Sequence, residues 1–207
     1  MTKRIFNLII VDESGSMSII EKQTLAGINE TLDTIVKMQD TYKDMEQVVT
    51  LLTFDSSHQT FIYDNTSAYK IKPLKRNQYN PCGGTPLYDA IGKGIAKVNA
   101  LATTDDSVLV TIITDGYENC SREYNLNMIK NLIKKLKEAS WTFTFIGTDN
   151  LDVEGMAYSL CIDNSLSFTQ DEEGTKEMFQ AERSARCGYN ARRSMGKKEI
   201  KGDFFKD

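Results

Sequence analysis

Apolar residues fall along this chain in two alternating rhythms. Ile5 to Val11 is a nearly continuous apolar run, the pattern of a strand buried on both faces of a parallel sheet. It stops at Asp12. Ser18-Ile19-Ile20-Glu21 then matches a capping box, and Leu25, Ile28, Leu32, Ile35 and Gln39 step by three and four, which predicts a helix down to about Met38. Val48 to Phe54 predicts a second strand, and Gln59 to Tyr63 a short third, paired as a hairpin through Asp55-Ser56-Ser57-His58. After a polar, irregular stretch from Asp64 to Asn80, Pro81-Cys82-Gly83-Gly84-Thr85-Pro86 breaks the chain. Leu87, Ile91, Ile95, Val98 and Leu101 then space out as a second helix, with Thr85 as N-cap and Pro86 at its first position. Ser107 to Ile113 is another buried-type strand ending in Thr114-Asp115-Gly116. Leu126, Ile129, Ile133 and Leu136 mark a third helix, Trp141 to Ile146 a strand, Leu151 to Tyr158 a short helix, and Leu160 to Ile162, continuing toward Phe168, a last strand. Residues 171–189 read as a weakly amphipathic helix.

Strands alternating with helices predict an α/β fold, a doubly wound, mostly parallel sheet with helices on both faces, whose ligands bind at the carboxyl ends of the strands. No internal repeat or linker interrupts the pattern. Residues 1–189 are expected to form a single domain, and residues 190–207, with Arg192, Arg193, Lys197, Lys198, Lys201 and few apolar anchors, a mobile tail.

Composition narrows this picture without changing it. The 207 residues are 40% hydrophobic and 26% charged, which suits a globular protein, and a net charge of −4 advertises neither nucleic acid nor an anionic membrane as partner. The apolar stretch Ile5–Val11 is too short for a signal-peptide core or a membrane span, so the expected location is the cytoplasm. Four cysteines with no C-x-x-C pair, and a single histidine, His58, argue against a zinc site or a disulfide scaffold and for reduced, mostly structural thiols.

Three loops that follow strands or feed helices carry the chemistry. They are Asp12-Glu13-Ser14-Gly15-Ser16, Gly83-Gly84-Thr85 and Thr114-Asp115-Gly116. Two carboxylates and three hydroxyls at one sheet edge make an all-oxygen set suited to a hard divalent cation such as Mg²⁺ or Mn²⁺. Any one loop alone is an ordinary polar turn, and only the conjunction points to a metal. Glu13 and Glu118 are read as facing solvent, and Tyr88, Tyr117 and Asn119 as flanking the rim.

D-x-S-x-S, then a Thr in G-G-T-P, then T-D-G, in this order on an alternating chain, resembles the von Willebrand factor A domain with its metal-ion-dependent adhesion site, from about Arg4 to at least Ile162. The stretches "DESGSM", "GGTPLYDAI" and "ITDGYENCSREY" resemble stand-alone bacterial and phage members. The resemblance implies a six-stranded sheet in the order 3-2-1-4-5-6, with the Gln59–Tyr63 strand antiparallel at an edge. It implies that Ser14, Ser16 and Thr85 supply hydroxyl ligands while Asp12 and Asp115 bind directly or through water, and that a partner protein's Asp or Glu carboxylate completes the cation. The expected function is thus a non-enzymatic, metal-dependent protein-binding module.

Two other classes remain in view. An Asp at a strand end beside Mg²⁺ also begins phosphatases of the haloacid dehalogenase type, in which Asp12 would be the nucleophile. Those enzymes need a second Asp two positions on, where this chain has Ser14. Nucleotide binding lacks both glycine-rich phosphate loops.

Overall fold

A computed structural model describes residues 3–197 and 204–206. Strands β1 (Lys3–Asp12), β2 (Met45–Phe54), β3 (Gln59–Ser67), β4 (Ser107–Thr114), β5 (Trp141–Thr148) and β6 (Asn164–Phe168) form one sheet in the order β3-β2-β1-β4-β5-β6. All pairings are parallel except β2 with β3, which is antiparallel and irregular in register between Val49 and Leu52. This is the mostly parallel sheet with one antiparallel edge strand that the apolar rhythm and the resemblance implied.

Helices α1 (Glu21–Thr41), α2 (Leu87–Asn99), α3 (Leu126–Glu138), α4 (Val153–Ser159) and α5 (Glu172–Ser194) cover the two faces. Because side chains alternate along a strand, Phe6, Leu8 and Ile10 of β1 pack with α2, α3 and α4, whereas Ile9 and Val11 pack with α1 and α5. β1 is central and covered on both sides, which is why its sequence is apolar without alternation. No described helix is long and apolar enough to cross a membrane.

The face under α1 and α5 is not wholly apolar. α5 turns Thr175, Met178, Phe179, Glu182, Arg186, Tyr189 and Asn190 inward, so its buried stripe is half polar and its amphipathicity reads as weak. Arg186 is 0% exposed and pairs with Glu182. Its Nη1 donates to Asn7 Oδ1 (2.6 Å) in β1, and Nη2, which also meets Glu182, donates to Thr111 Oγ1 (3.0 Å) in β4. Asn7 donates on to Gln47 Oε1 (3.0 Å), and Gln47 to Asn190 Oδ1 (2.8 Å), closing a polar circuit between helix and sheet. The Gln39 carboxamide, at the end of the α1 stripe, accepts the Gln47 backbone amide at 2.6 Å.

Several local expectations need correction. The capping box at Ser18–Glu21 does not form: residues 15–20 make a 3₁₀ turn, and α1 starts after Ile20 with no side-chain cap. The last strand is Asn164–Phe168, because Leu160 and Ile162 are buried in the turn after α4, where apolarity signals packing and not pairing. The boundary expected at residues 189/190 falls inside α5, which continues to Ser194. Of the expected tail, residues 198–203 and 207, with Lys198 and Lys201, lie outside the described residues. Phe204 is buried against Ile5, Met45, Leu109 and Tyr189, and its amide donates to Asn164 Oδ1 at 3.0 Å.

Candidate functional site

Parallel strands deliver the chain to one edge. Register places Asp12 beside Phe54 and Val11 beside Ile113, so the loops after β1 and β4 leave the sheet as neighbours. Asp12 is 0% exposed; its Oδ1 accepts the Ser14 amide at 2.7 Å and its Oδ2 the Thr114 hydroxyl at 2.5 Å. The Ser14 and Ser16 hydroxyls lie 3.3 Å apart, and Ser16 Oγ donates to Asp115 Oδ1 at 2.7 Å. Loops one and three therefore meet through their side chains.

Thr85 arrives from the second loop. Its amide donates to Asn119 Oδ1 at 2.9 Å and its carbonyl accepts the Asn119 amide at 3.1 Å, which fixes its backbone against loop three. Its hydroxyl lies 3.0 Å from where a side chain on Gly116 would begin, so any larger residue there must push the Thr85 hydroxyl aside by a few tenths of an ångström. Thr85 is not the expected N-cap: α2 opens at Leu87, and Glu118 Oε2 accepts the Tyr88 amide instead. The backbones of loops one and two are tied as well, Gly15 N–H to Gly83 O at 3.1 Å and Cys82 N–H to Glu13 O at 2.8 Å. All five residues singled out in the sequence thus converge at the carboxyl edge of β1 and β4.

The two acids read as solvent-facing are structural. Glu13 is only 9% exposed and its carboxylate holds the Asn80 amide, while Glu118 takes the amides of Tyr88, Cys120 and Ser121 together with the Ser121 hydroxyl. Asp89 of α2 does the same for the amides of Arg122, Glu123 and Tyr124. Two carboxylates accepting runs of backbone N–H groups hold loop three rigidly to the start of α2. Of the expected rim, Tyr117 is exposed, and its phenol accepts the Asp152 amide at 3.1 Å.

Electrostatically the site is short of positive charge. Burial pushes the Asp12 carboxyl up to about 6, with the Asp115 charge adding to it, although hydrogen bonds from Thr114 and Ser14 pull the other way. Burial raises Asp115 too, against donors Ser16 and Gln170. The Tyr79 phenol, which donates to the Asp12 carbonyl at 2.7 Å, is pushed well up by burial and by the neighbouring acids and stays a neutral donor. Among the described residues no cation offsets either Asp12 or Asp115. A divalent ion would supply the missing charge, and the donor set, all oxygen with three hydroxyls beside two carboxylates, fits a hard one. Among the described residues no three His, Cys, Asp or Glu side chains are placed to hold a metal, so the hydroxyls are essential to any such fit.

Sequence reasoning includes Thr114 in loop three without giving it a role, although its hydroxyl bridges Asp12 and the Gly116 amide (3.1 Å), and it misses Gln170, whose Nε2 donates to Asp115 Oδ2 at 2.5 Å. Thr114 was legible as the hydroxyl ending a buried strand. Gln170 sits 55 positions from Asp115 in a loop with no pattern of its own.

The family model of the von Willebrand factor type A domain matches residues 8–181. The chain belongs to that family. Such domains typically serve as adhesion or protein-interaction modules. Similar solved structures include the vWF domain of the type V pili tip protein Mfa5 from Porphyromonas gingivalis (TM-score 0.61, 11% identity, 91% of this chain and 97% of that one). They also include the PilB minor pilin from Streptococcus sanguinis (0.55, 12%, 88% and 61%) and proximal thread matrix protein 1 from the mussel byssus (0.62, 13%, 89% and 46%). The vWA chain therefore spans less than two thirds of the latter two, and at these identities the likeness is one of fold. No curated protein matches the sequence.

Proposed function

We propose that this vWA domain is a non-catalytic, divalent-cation-dependent protein-binding module. Asp12, Ser14, Ser16, Thr85 and Asp115 would hold Mg²⁺ or Mn²⁺ as a metal-ion-dependent adhesion site. When bound, the ion would offer a positively charged face to an Asp or Glu carboxylate of a partner protein. The observation that carries this reading is the convergence of two buried, cation-less carboxylates and three hydroxyls at one sheet edge. Three of the five groups are neutral hydroxyls, so the ion would keep an open coordination position with more residual charge than an all-carboxylate site leaves, which favours an incoming anionic oxygen. The chain's own residues do the rest: Asn119 and Gly116 seat Thr85, Thr114 orients Asp12, and Glu118 and Asp89 keep loop three from moving. The bacterial or phage type and the cytoplasmic location belong to the same proposal, the latter helped by four unpaired cysteines.

Isothermal titration of Mg²⁺ and Mn²⁺ should give saturable, one-site binding to the wild type and none to Asp12→Ala; equal, negligible heats in both would sink the cation reading. Binding should be graded by the seat of Thr85. Gly116→Ala, whose new methyl must displace the Thr85 hydroxyl by a few tenths of an ångström, should weaken Mg²⁺ about tenfold with little change in melting temperature. For the partner half, capture from native lysate should depend on Mg²⁺, be lost in chelator and be lost in Ser14→Ala. A partner retained under all three conditions would place the interface elsewhere.

A further inference from the structure

We propose that Gln170 sets the site's preference for Mg²⁺ over Ca²⁺ by holding Asp115 as a one-oxygen ligand; this rests on the cation reading above. Asp115 has its two oxygens in different hands. Oδ1 takes the Ser16 hydroxyl at 2.7 Å, on the side where Ser16 also meets Ser14 at 3.3 Å, and so faces the proposed ligand cluster. Oδ2 takes the Gln170 amide at 2.5 Å, and the same Nε2 lies 3.4 Å from the Ser16 carbonyl. The carboxamide must present its nitrogen here, because both of its neighbours are acceptors. Gln170 thereby fixes the rotation of the carboxylate, satisfies the outer oxygen with a neutral donor, and joins the loops after β1 and β4 to the β6–α5 turn.

That turn is built to hold still. Phe168 O accepts the Asp149 amide at 2.8 Å on one side of Gln170. On the other, Thr169 O accepts the Asp171 amide at 2.8 Å, and Asp171 caps α5 through the Gly174 amide at 2.7 Å. Gln170 is thus aimed from a fixed backbone and has no need to search for Asp115.

Ion choice follows from what the carboxylate can offer. Mg²⁺ wants six ligands in near-octahedral array and keeps waters, so a single oxygen per carboxylate suits it, whereas Ca²⁺ takes six to eight oxygens and gains from two-oxygen carboxylates. With Oδ2 engaged by Gln170, the larger ion is denied that second oxygen. Removing the amide donor frees Oδ2 and lets the carboxylate rotate, which favours Ca²⁺ relative to Mg²⁺.

The test is titration of the full chain with MgCl₂ and, separately, CaCl₂, for wild type, Gln170→Met and Gln170→Ala, with the melting temperature in chelator confirming that each is folded. Gln170→Met keeps length and apolar contact without a donor; Gln170→Ala removes the side chain. The expected result is a Mg²⁺-to-Ca²⁺ affinity ratio above one in the wild type that falls about tenfold or more in whichever variants fold. A residue that merely stabilises the turn would weaken both ions by one factor, so an unchanged ratio overturns the proposal while leaving the cation site standing. A wild type that binds Ca²⁺ as well as Mg²⁺ also overturns it, and a wild type that binds neither ion removes the cation reading and this inference together.

Discussion

Replacing Arg186 by alanine is expected to lower the unfolding free energy by about 3–5 kcal/mol, measured by urea denaturation, because it strands Glu182 as an uncompensated charge in the core. Both side chains are essentially without exposure, and the guanidinium serves Glu182, Asn7 and Thr111 at once. The loss is at least about a fifth of a typical domain's stability. The double variant Arg186→Met/Glu182→Leu should cost less than Arg186→Met or Glu182→Leu alone, since neither charge is left behind, and the cycle of these three variants would measure the coupling. A single-variant loss below about 1 kcal/mol would mean that water reaches the pair. Mg²⁺ binding per folded molecule should be unaffected, as the circuit lies under α5 and away from the carboxyl edge.

Asp12→Asn should act in the opposite direction in metal-free protein. Burial pushes the native carboxyl up to about 6 from an ordinary value of 3.8, so between those values the native state holds a proton that the unfolded chain has released. Stability from this group is fully present below about pH 4, falls as pH rises through 6, and is lost above it; two units correspond to up to about 3 kcal/mol. An asparagine can keep both hydrogen bonds, accepting from the Ser14 amide and donating to the Thr114 hydroxyl, without the charge. In chelator at pH 7.5 the variant should therefore melt higher than wild type, and the gap should close as the pH is lowered toward 4. Adding Mg²⁺ should raise the wild type alone and shrink or invert the gap. A wild type more stable than Asp12→Asn in chelator at pH 7.5 would contradict the burial argument.

What the sequence made legible was whatever periodicity and strand ends dictate. β1 and β4 announce themselves as buried central strands, and an acid or hydroxyl at the end of such a strand has nowhere to go but the binding edge, so Asp12 and Asp115 are legible from the sequence. The last strand was misplaced because apolar Leu160 and Ile162 report burial, and burial alone does not distinguish a strand from a packed turn. The weak amphipathicity of residues 171–189 gives Arg186 no distinction, since nothing local says that Asn7 and Thr111 wait opposite it, 179 and 75 positions away. Glu13 and Glu118 were misjudged for the same reason: their partners are backbone amides, which carry no letter in the sequence. Gln170 is the extreme case, a single side chain whose significance comes only from the carboxylate it meets.

Phe204 and its contacts have a practical corollary. Ile5, Met45 and Asn164 all lie at or near the amino-terminal ends of their strands, so the described end of the chain docks at the pole where β1 also begins, opposite Asp12 and Asp115. An affinity tag, a surface anchor or a neighbouring domain joined before Lys3 or after Lys206 would depart from that far pole. The domain is polarised, with the start of β1 and the docked Phe204 at one pole and its charged site at the other, so a tether fixed at the far pole would leave the site unshaded.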